Sequence, residues 1–245
     1  MKFLYPNKSS PQQEKISVYR HSDQSLNLLN ITHDFGVGFT TINMEDLKDA
    51  EFKEAWEIAI KNNPYVYPKS FIYRDYIVAA IAKNAMNLNG AFLFIGVSWG
   101  CAAQLVLKLC KPMTKNIYLM DGWDQSENPN SPKVESYCGD YDFIQRMFGS
   151  YQNVKTIKGL APYALDCIKE ENFAFVHISI DSNQAEVDSI QKIYEQCVKG
   201  AFILLDCYGT NNSGKGWTIE SKKKLKELGF TVIPFLNGQG LLIKT

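Results

Sequence analysis

The chain has 245 residues, enough for one sizeable α/β domain with an extra N-terminal segment. Its 26 basic and 26 acidic side chains cancel, which excludes an overall field drawing it to nucleic acid or an anionic membrane. No stretch approaches the roughly 20 apolar residues of a membrane helix, the opening MKFLYPNK turns polar before a signal-peptide core could form, and the six cysteines show no C-x-x-C spacing, so reduced thiols of a cytoplasmic protein are expected.

Residues 1 to about 40 are polar and weakly patterned, which predicts an irregular arm ordered against a substrate or a second subunit, as in a homo-oligomer. Asp46 to Ile60 follows a helical period through Leu47, Phe52, Trp56 and Ile60, and Asn62-Asn63-Pro64 ends it. Tyr73 to Asn87 predicts a second helix with Tyr76, Ile77, Ala80, Ile81 and Ala85 on its packed side. From Ala91 the texture changes. Short apolar runs predict strands at Ala91–Val97, Asn116–Met120, Val154–Ile157, Ala174–Ile180, Phe202–Leu205, Thr231–Pro234 and Leu241–Lys244. Helical patterns fall between them at Cys101–Cys110, Tyr141–Gly149, Pro162–Lys169, Ala185–Val198 and Glu220–Leu228. The basic run Lys222-Lys223-Lys224 lies on the last of these as a solvated face.

This alternation predicts an α/β, Rossmann-like fold: a mostly parallel sheet with helices on both faces. Only Phe235 to Gly240 separates the last two strands, too few residues for a crossover, so the last strand is expected to be antiparallel.

Ligands of such sheets bind beyond the carboxyl ends of the strands. The first strand runs into Gly96-Val97-Ser98-Trp99-Gly100 and a helix begins at once. Glycine allows close backbone approach, and a helix N-terminus presents unbonded N–H groups. The second strand ends at Asp121, 25 residues after Gly96, where a carboxylate can accept both hydroxyls of a ribose. Two further strands end at Asp181 and Asp206, whose paired carboxylates suit Mg²⁺ or Mn²⁺, or a general base with an orienting partner. His177 shares the alternation of Ser179 and Asp181, and its readings as a core histidine and as a base both stand. Tyr65, Tyr67, Trp99, Trp123, Tyr208 and Trp217 offer flat surfaces for an adenine or a sugar, Trp123 nearest the adenine.

These segments resemble the class I S-adenosylmethionine (SAM)-dependent methyltransferases, and within them the macrocin O-methyltransferase (TylF-like) group. The resemblance covers about residues 73 to 245. It is carried by Ile95 to Ala103, by Leu119-Met120-Asp121-Gly122-Trp123, by His177 to Asn183, by Gly200 to Gly209 and by the tail Gly238 to Lys244. It implies a SAM-binding domain over 73–245 preceded by an arm and helical cap over 1–72. It implies SAM held by residues 96 to 100 with Asp121, Gly122 and Trp123, and methyl transfer to a hydroxyl of a small molecule or of a sugar or surface-polysaccharide precursor. In metal-using members, the positions matching Asp181, Asp206 and the following residue hold a divalent ion. Here that following residue is Cys207, and Asn183 stands where a second acid is usual. A thiol is a poor partner for Mg²⁺. Weak metal binding, water in the vacant place and a metal-free reaction are all compatible with the pattern, with Asp181 or His177 as base in the last case.

Two rivals share the scaffold. A nicotinamide-dependent enzyme is disfavoured by Ser98 at the second glycine of G-x-G-x-x-G. A non-catalytic partner subunit is suggested by Cys207 and Asn183.

Overall fold

The structure is a computed structural model that describes residues 32–34, 37–39, 45–64, 71–111, 113–123, 139–169, 171–180, 182–209 and 219–245. Two short antiparallel strands, β1 (Thr32–Asp34) and β2 (Val37–Phe39), lie in the segment expected to be irregular, which corrects that expectation at those positions. Most of the arm lies outside the described residues.

A 3-10 turn at Glu45–Lys48 leads to α1 (Ala50–Lys61), whose N-terminus is capped by Asp49 accepting from the Phe52 N–H at 2.8 Å. Then come α2 (Ile72–Ala85), β3 (Ala91–Ile95), α3 (Cys101–Leu109), β4 (Ile117–Asp121), α4 (Tyr141–Phe148) and β5 (Val154–Lys158). The second half holds β6 (Phe173–Ile178), α5 (Asn183–Ile193), β7 (Cys197–Leu205), α6 (Ile219–Glu227), β8 (Val232–Pro234) and β9 (Gly240–Ile243). Every strand and every α-helix expected from Ala91 onward is present, apart from one.

The exception is Pro162–Lys169, where a 3-10 turn spans Tyr163–Ile168. Its buried residues Leu165 and Ile168 are three apart, a spacing that a three-residue turn aligns on one side. The boundary after α5 also moves. The helix stops at Ile193, a 3-10 turn occupies Tyr194–Gln196, and β7 starts at Cys197, inside the expected helix. Gly200 adopts φ +82°, and the β6–β7 pairing shifts register between Phe173 and Phe175. The strand therefore bulges, and its first part loses the apolar run that marks the second.

Seven strands form one sheet in the order β5-β4-β3-β6-β7-β9-β8. β3 to β7 pair in parallel, and β9 is antiparallel to both of its neighbours, as the short connection requires. Alternate strand residues feed two cores. Leu93, Ile95, Met120, Val176, Ile178, Ile203 and Leu205 meet Val187 and Ile190 of α5 and Leu225 of α6. Phe92, Phe94, Leu119, Phe175 and Leu204 meet Val78 and Ala82 of α2, Val106 of α3 and Phe148 of α4. α1 forms an outer layer, with Phe52, Trp56 and Ala59 packed on Ala79 of α2 and on Leu105 and Leu109 of α3.

The buried side of α2 differs from the expected one. Arg74, Asp75, Val78, Ala79, Ala82 and Ala85 are buried. The helix is apolar nearly all round, so its period does not select a face.

Candidate functional site

The parallel register sets the site. Ile95 pairs with Met120 on one side and Ile178 on the other, and Ile178 pairs with Leu205. The next residue of each strand, Gly96, Asp121, Ser179 and Asp206, therefore falls in one row along the carboxyl edge. The ladder continues through it, since Gly96 donates to the Met120 carbonyl at 2.9 Å, Ser179 to Ile95 at 2.8 Å and Asp206 to Ile178 at 2.8 Å. The strand order reverses direction at β3, so this edge is the crevice where open α/β sheets bind ligands.

The turn after β3 depends on glycine. Gly96 has φ +81°, and a Cβ there would lie 2.0 Å from the Ser179 carbonyl oxygen. Gly100 caps α3 at φ +80°, and a Cβ there would meet the Phe148 ring at 2.8 Å. Both glycines thus seat the turn against neighbouring backbone and ring.

Asp121 organises what lies between them. Its Oδ2 accepts from the Ser98 N–H at 2.7 Å and its Oδ1 from the Trp123 N–H at 3.2 Å. Ser98 (φ 50°) and Trp123 (φ 41°) are the two non-glycine residues with left-handed backbones among those described. One carboxylate therefore holds both unfavourable conformations, each costing on the order of 1–2 kcal/mol. The Trp123 indole N–H closes the ring on the Ser98 carbonyl at 3.2 Å. Burial pushes the Asp121 carboxyl above its ordinary range, while backbone N–H groups of Ser98, Trp123, Gly122 and Val97 pull it back.

The aromatic residues of this edge point inward. Trp123 is 2% exposed and its ring lies 5.0 Å from that of Tyr141, while Trp99 stacks edge-on to Phe143 at 5.4 Å. Tyr65, Tyr67 and Trp217 lie outside the described residues, as does Asp181.

At the other end of the row Asp206 sits in a polar cluster. Arg74 Nη1 is 2.7 Å from its Oδ1, and Arg74 also donates to the Asp206 carbonyl. The Gln239 side-chain amide donates to Oδ1 at 2.9 Å and the Ser179 hydroxyl to Oδ2 at 3.2 Å. His177 Nε2 is 3.6 Å from Oδ1, with the imidazole edge-on to the Phe94 ring at 5.8 Å. Burial alone would raise the Asp206 carboxyl, but the Arg74 charge, with His177 and Gln239, holds it well below the usual carboxylate range. His177 stands two residues inside the edge row and is 5% exposed.

The structure thus brings Gly96, Val97, Ser98, Trp99, Gly100, Asp121, Gly122 and Trp123 together, and separately joins His177 to Asp206. The sequence pattern missed Arg74, Ser179, Asn237 and Gln239. Arg74 and Asp75 sit in the first turn of an apolar helix, where charges ordinarily face water. Gln239 lies in a hairpin turn whose polarity is unremarkable by itself. Ser179 alone carried a signal, through its alternation with His177.

A divalent ion does not fit Asp206 as it stands. Both of its oxygens accept from side-chain donors, and one of those donors is a cation at 2.7 Å. Among the described residues, no cluster of three His, Cys, Asp or Glu side chains is placed to hold a metal.

No family's sequence profile matches the chain, and no curated protein does. Solved structures match. The O-methyltransferase NovP aligns over 83% of this chain and 100% of its own, with TM-score 0.57 and 12% identity. CalS11, a calicheamicin methyltransferase, aligns over 91% and 99%, with TM-score 0.54 and 13% identity. The Podospora anserina methyltransferase PaMTH1, in an SAH-bound structure, aligns over 84% and 98%, with TM-score 0.53 and 14% identity. At these identities the likeness is one of fold. The chain has the Rossmann-like methyltransferase fold, a mostly parallel seven-stranded sheet with its last strand antiparallel. No helix among the described residues is long and apolar enough to cross a membrane.

Proposed function

We propose that the chain is a SAM-dependent O-methyltransferase acting on a hydroxyl of a small molecule or a sugar precursor, as the TylF-like pattern implies. The observation that carries this is the row Gly96–Asp121–Ser179–Asp206 at the carboxyl edge where the strand order turns. CalS11, which shares the fold, is a TDP-rhamnose 3'-O-methyltransferase, and this supports a sugar acceptor.

When bound, SAM supplies an electrophilic methyl carbon on a sulfonium. Residues 96 to 100 would hold it, with Gly96 and Gly100 shaping the turn against the Ser179 backbone and the Phe148 ring, and Asp121 would accept its ribose diol while sharing its oxygens with the Ser98 and Trp123 N–H groups. In-line displacement then needs chiefly an acceptor oxygen held behind the methyl carbon. The acceptor lies over the ends of β6 and β7. Its proton passes to a base, for which we propose Asp181 on sequence grounds. For His177 we propose a positioning role, which its burial against Phe94 and Asp206 supports.

Isothermal calorimetry tests the cofactor. SAM or its demethylated product is expected to bind and NAD not to; binding of NAD alone would sink the proposal. Loss of a hydrogen bond to a charged group costs about 1.5–3 kcal/mol, so Asp121→Ala should weaken SAM roughly 10- to 150-fold. Radiolabelled methyl transfer to a panel of sugar nucleotides tests the reaction, and full turnover by Asp181→Asn would remove the proposed base. A second reading, a non-catalytic protein on this fold, is favoured by one observation: Gly139 packs so tightly on the turn that a Cβ there would lie 2.2 Å from the Ser98 carbonyl oxygen. Absence of any SAM heat would select it.

A further inference from the structure

Asp206 is the described residue on which a divalent ion would have to sit, and a different cation already sits there. Arg74 reaches it from α2, a helix 132 positions earlier in the chain, and is itself 3% exposed. Its guanidinium spans the pair of elements that close the sheet. Nη1 meets the Asp206 carboxylate at 2.7 Å, and Nη2 donates to the Asn237 carbonyl at 3.3 Å in the turn between β8 and β9. The turn is fixed in its own right. Asn237 donates to the Gln239 side-chain oxygen at 2.7 Å and accepts from the Gln239 N–H at 3.1 Å, which aims the Gln239 amide at Asp206.

Four considerations set this cluster against metal. A guanidinium keeps its proton at any pH a protein survives, so its charge is permanent. A second cation on the same carboxylate would stand within a few ångströms of that charge. An ion that displaced Arg74 would strand a buried cation, which is more costly than the original pair. The neighbouring side chain offers sulfur where Mg²⁺ prefers oxygen.

We infer that Arg74 is this chain's built-in replacement for a divalent cation: it holds Asp206 in place at the acceptor edge, and Asp206 binds no metal. Arg74 is a positioning residue that acts through Asp206. The term "acceptor edge" rests on the methyltransferase proposal; the displacement of metal by Arg74 does not.

The test is a Mn²⁺ titration of the intact protein, followed by electron paramagnetic resonance and by the proton signals of the His177 imidazole, assigned with His177→Gln. The expected result is that His177 stays sharp up to millimolar Mn²⁺. Uptake of one Mn²⁺ per chain that broadens His177 would overturn the inference. Uptake that leaves His177 sharp lies elsewhere and agrees with it. A thermal cycle adds a measure of the pairing. The Arg74→Met, Asp206→Asn double variant should melt higher than the sum of the two single losses predicts, because each single variant leaves one partner buried alone. Strictly additive losses would overturn the inference. Neither measurement contains SAM or an acceptor, so a failed methyl-transfer assay leaves both readable.

Discussion

At residue scale, Asp121 holds two left-handed residues, Ser98 and Trp123, in place through their backbone N–H groups. Its neighbour Gly96 is the more brittle of the pair. Gly96→Ala combines a left-handed φ with a 2.0 Å approach to the Ser179 carbonyl. Strain and overpacking together should cost roughly 2 to 5 kcal/mol, visible as a lower urea midpoint. The thiols respond to pH in a defined direction. Burial pushes Cys101 and Cys197 up to about 12 from an ordinary 9.0. Each therefore keeps its proton in the folded chain after the unfolded chain has lost it. Their contribution to stability is whole below about pH 9 and falls as pH rises, by about 1.4 kcal/mol per unit for each thiol. Comparison of urea unfolding at pH 8 and pH 10 for wild type and Cys197→Ala isolates one such slope. At pH 8, iodoacetamide should label the exposed Cys167 and spare Cys101 and Cys197, as peptide mass spectrometry would read. Gly96 and Asp121 were legible in the sequence because strand, turn and acid have a fixed spacing. Arg74 was not, because its partner lies 132 positions away and no local pattern marks a charge destined for the interior.

At the scale of elements, α2 ties the outer helix to the sheet edge. Arg74 turns toward Asp206, while the next residue, Asp75, accepts from the Trp56 indole of α1 at 2.7 Å in a buried bond. Trp56→Phe keeps the ring and removes the donor, so it should cost about 1–3 kcal/mol in chemical denaturation. Asp75→Asn retains an acceptor and should cost less. The elements themselves were readable wherever an apolar run was unbroken, as in Phe202-Ile203-Leu204-Leu205. They were misread where tertiary pairing overrode local pattern. Cys197 and Val198 look like the tail of a helix, and only the pairing of Cys197 with Phe173 makes them strand. The side of α2 that packs was hidden for a related reason, since a helix buried on most sides has no single polar stripe to orient it.

For the whole molecule, SAM bound at the carboxyl edge as proposed would add its binding energy to that of the two cores and the outer layer of α1. A ligand present at 100 times its Kd adds about 2.7 kcal/mol to stability. SAM should therefore raise the melting temperature of the wild type, and Asp121→Ala should lose most of that rise in a thermal-shift assay. A shift equal in the two proteins would place SAM away from this edge. Strand order also sets where the sheet is most easily opened. Among the described strands β8 pairs only with β9, and β9 alone joins it to β7. The turn between β8 and β9 carries Gln239, whose amide donates to Asp206 at 2.9 Å. Peeling that hairpin from β7 would therefore also take apart the polar cluster at the carboxyl edge.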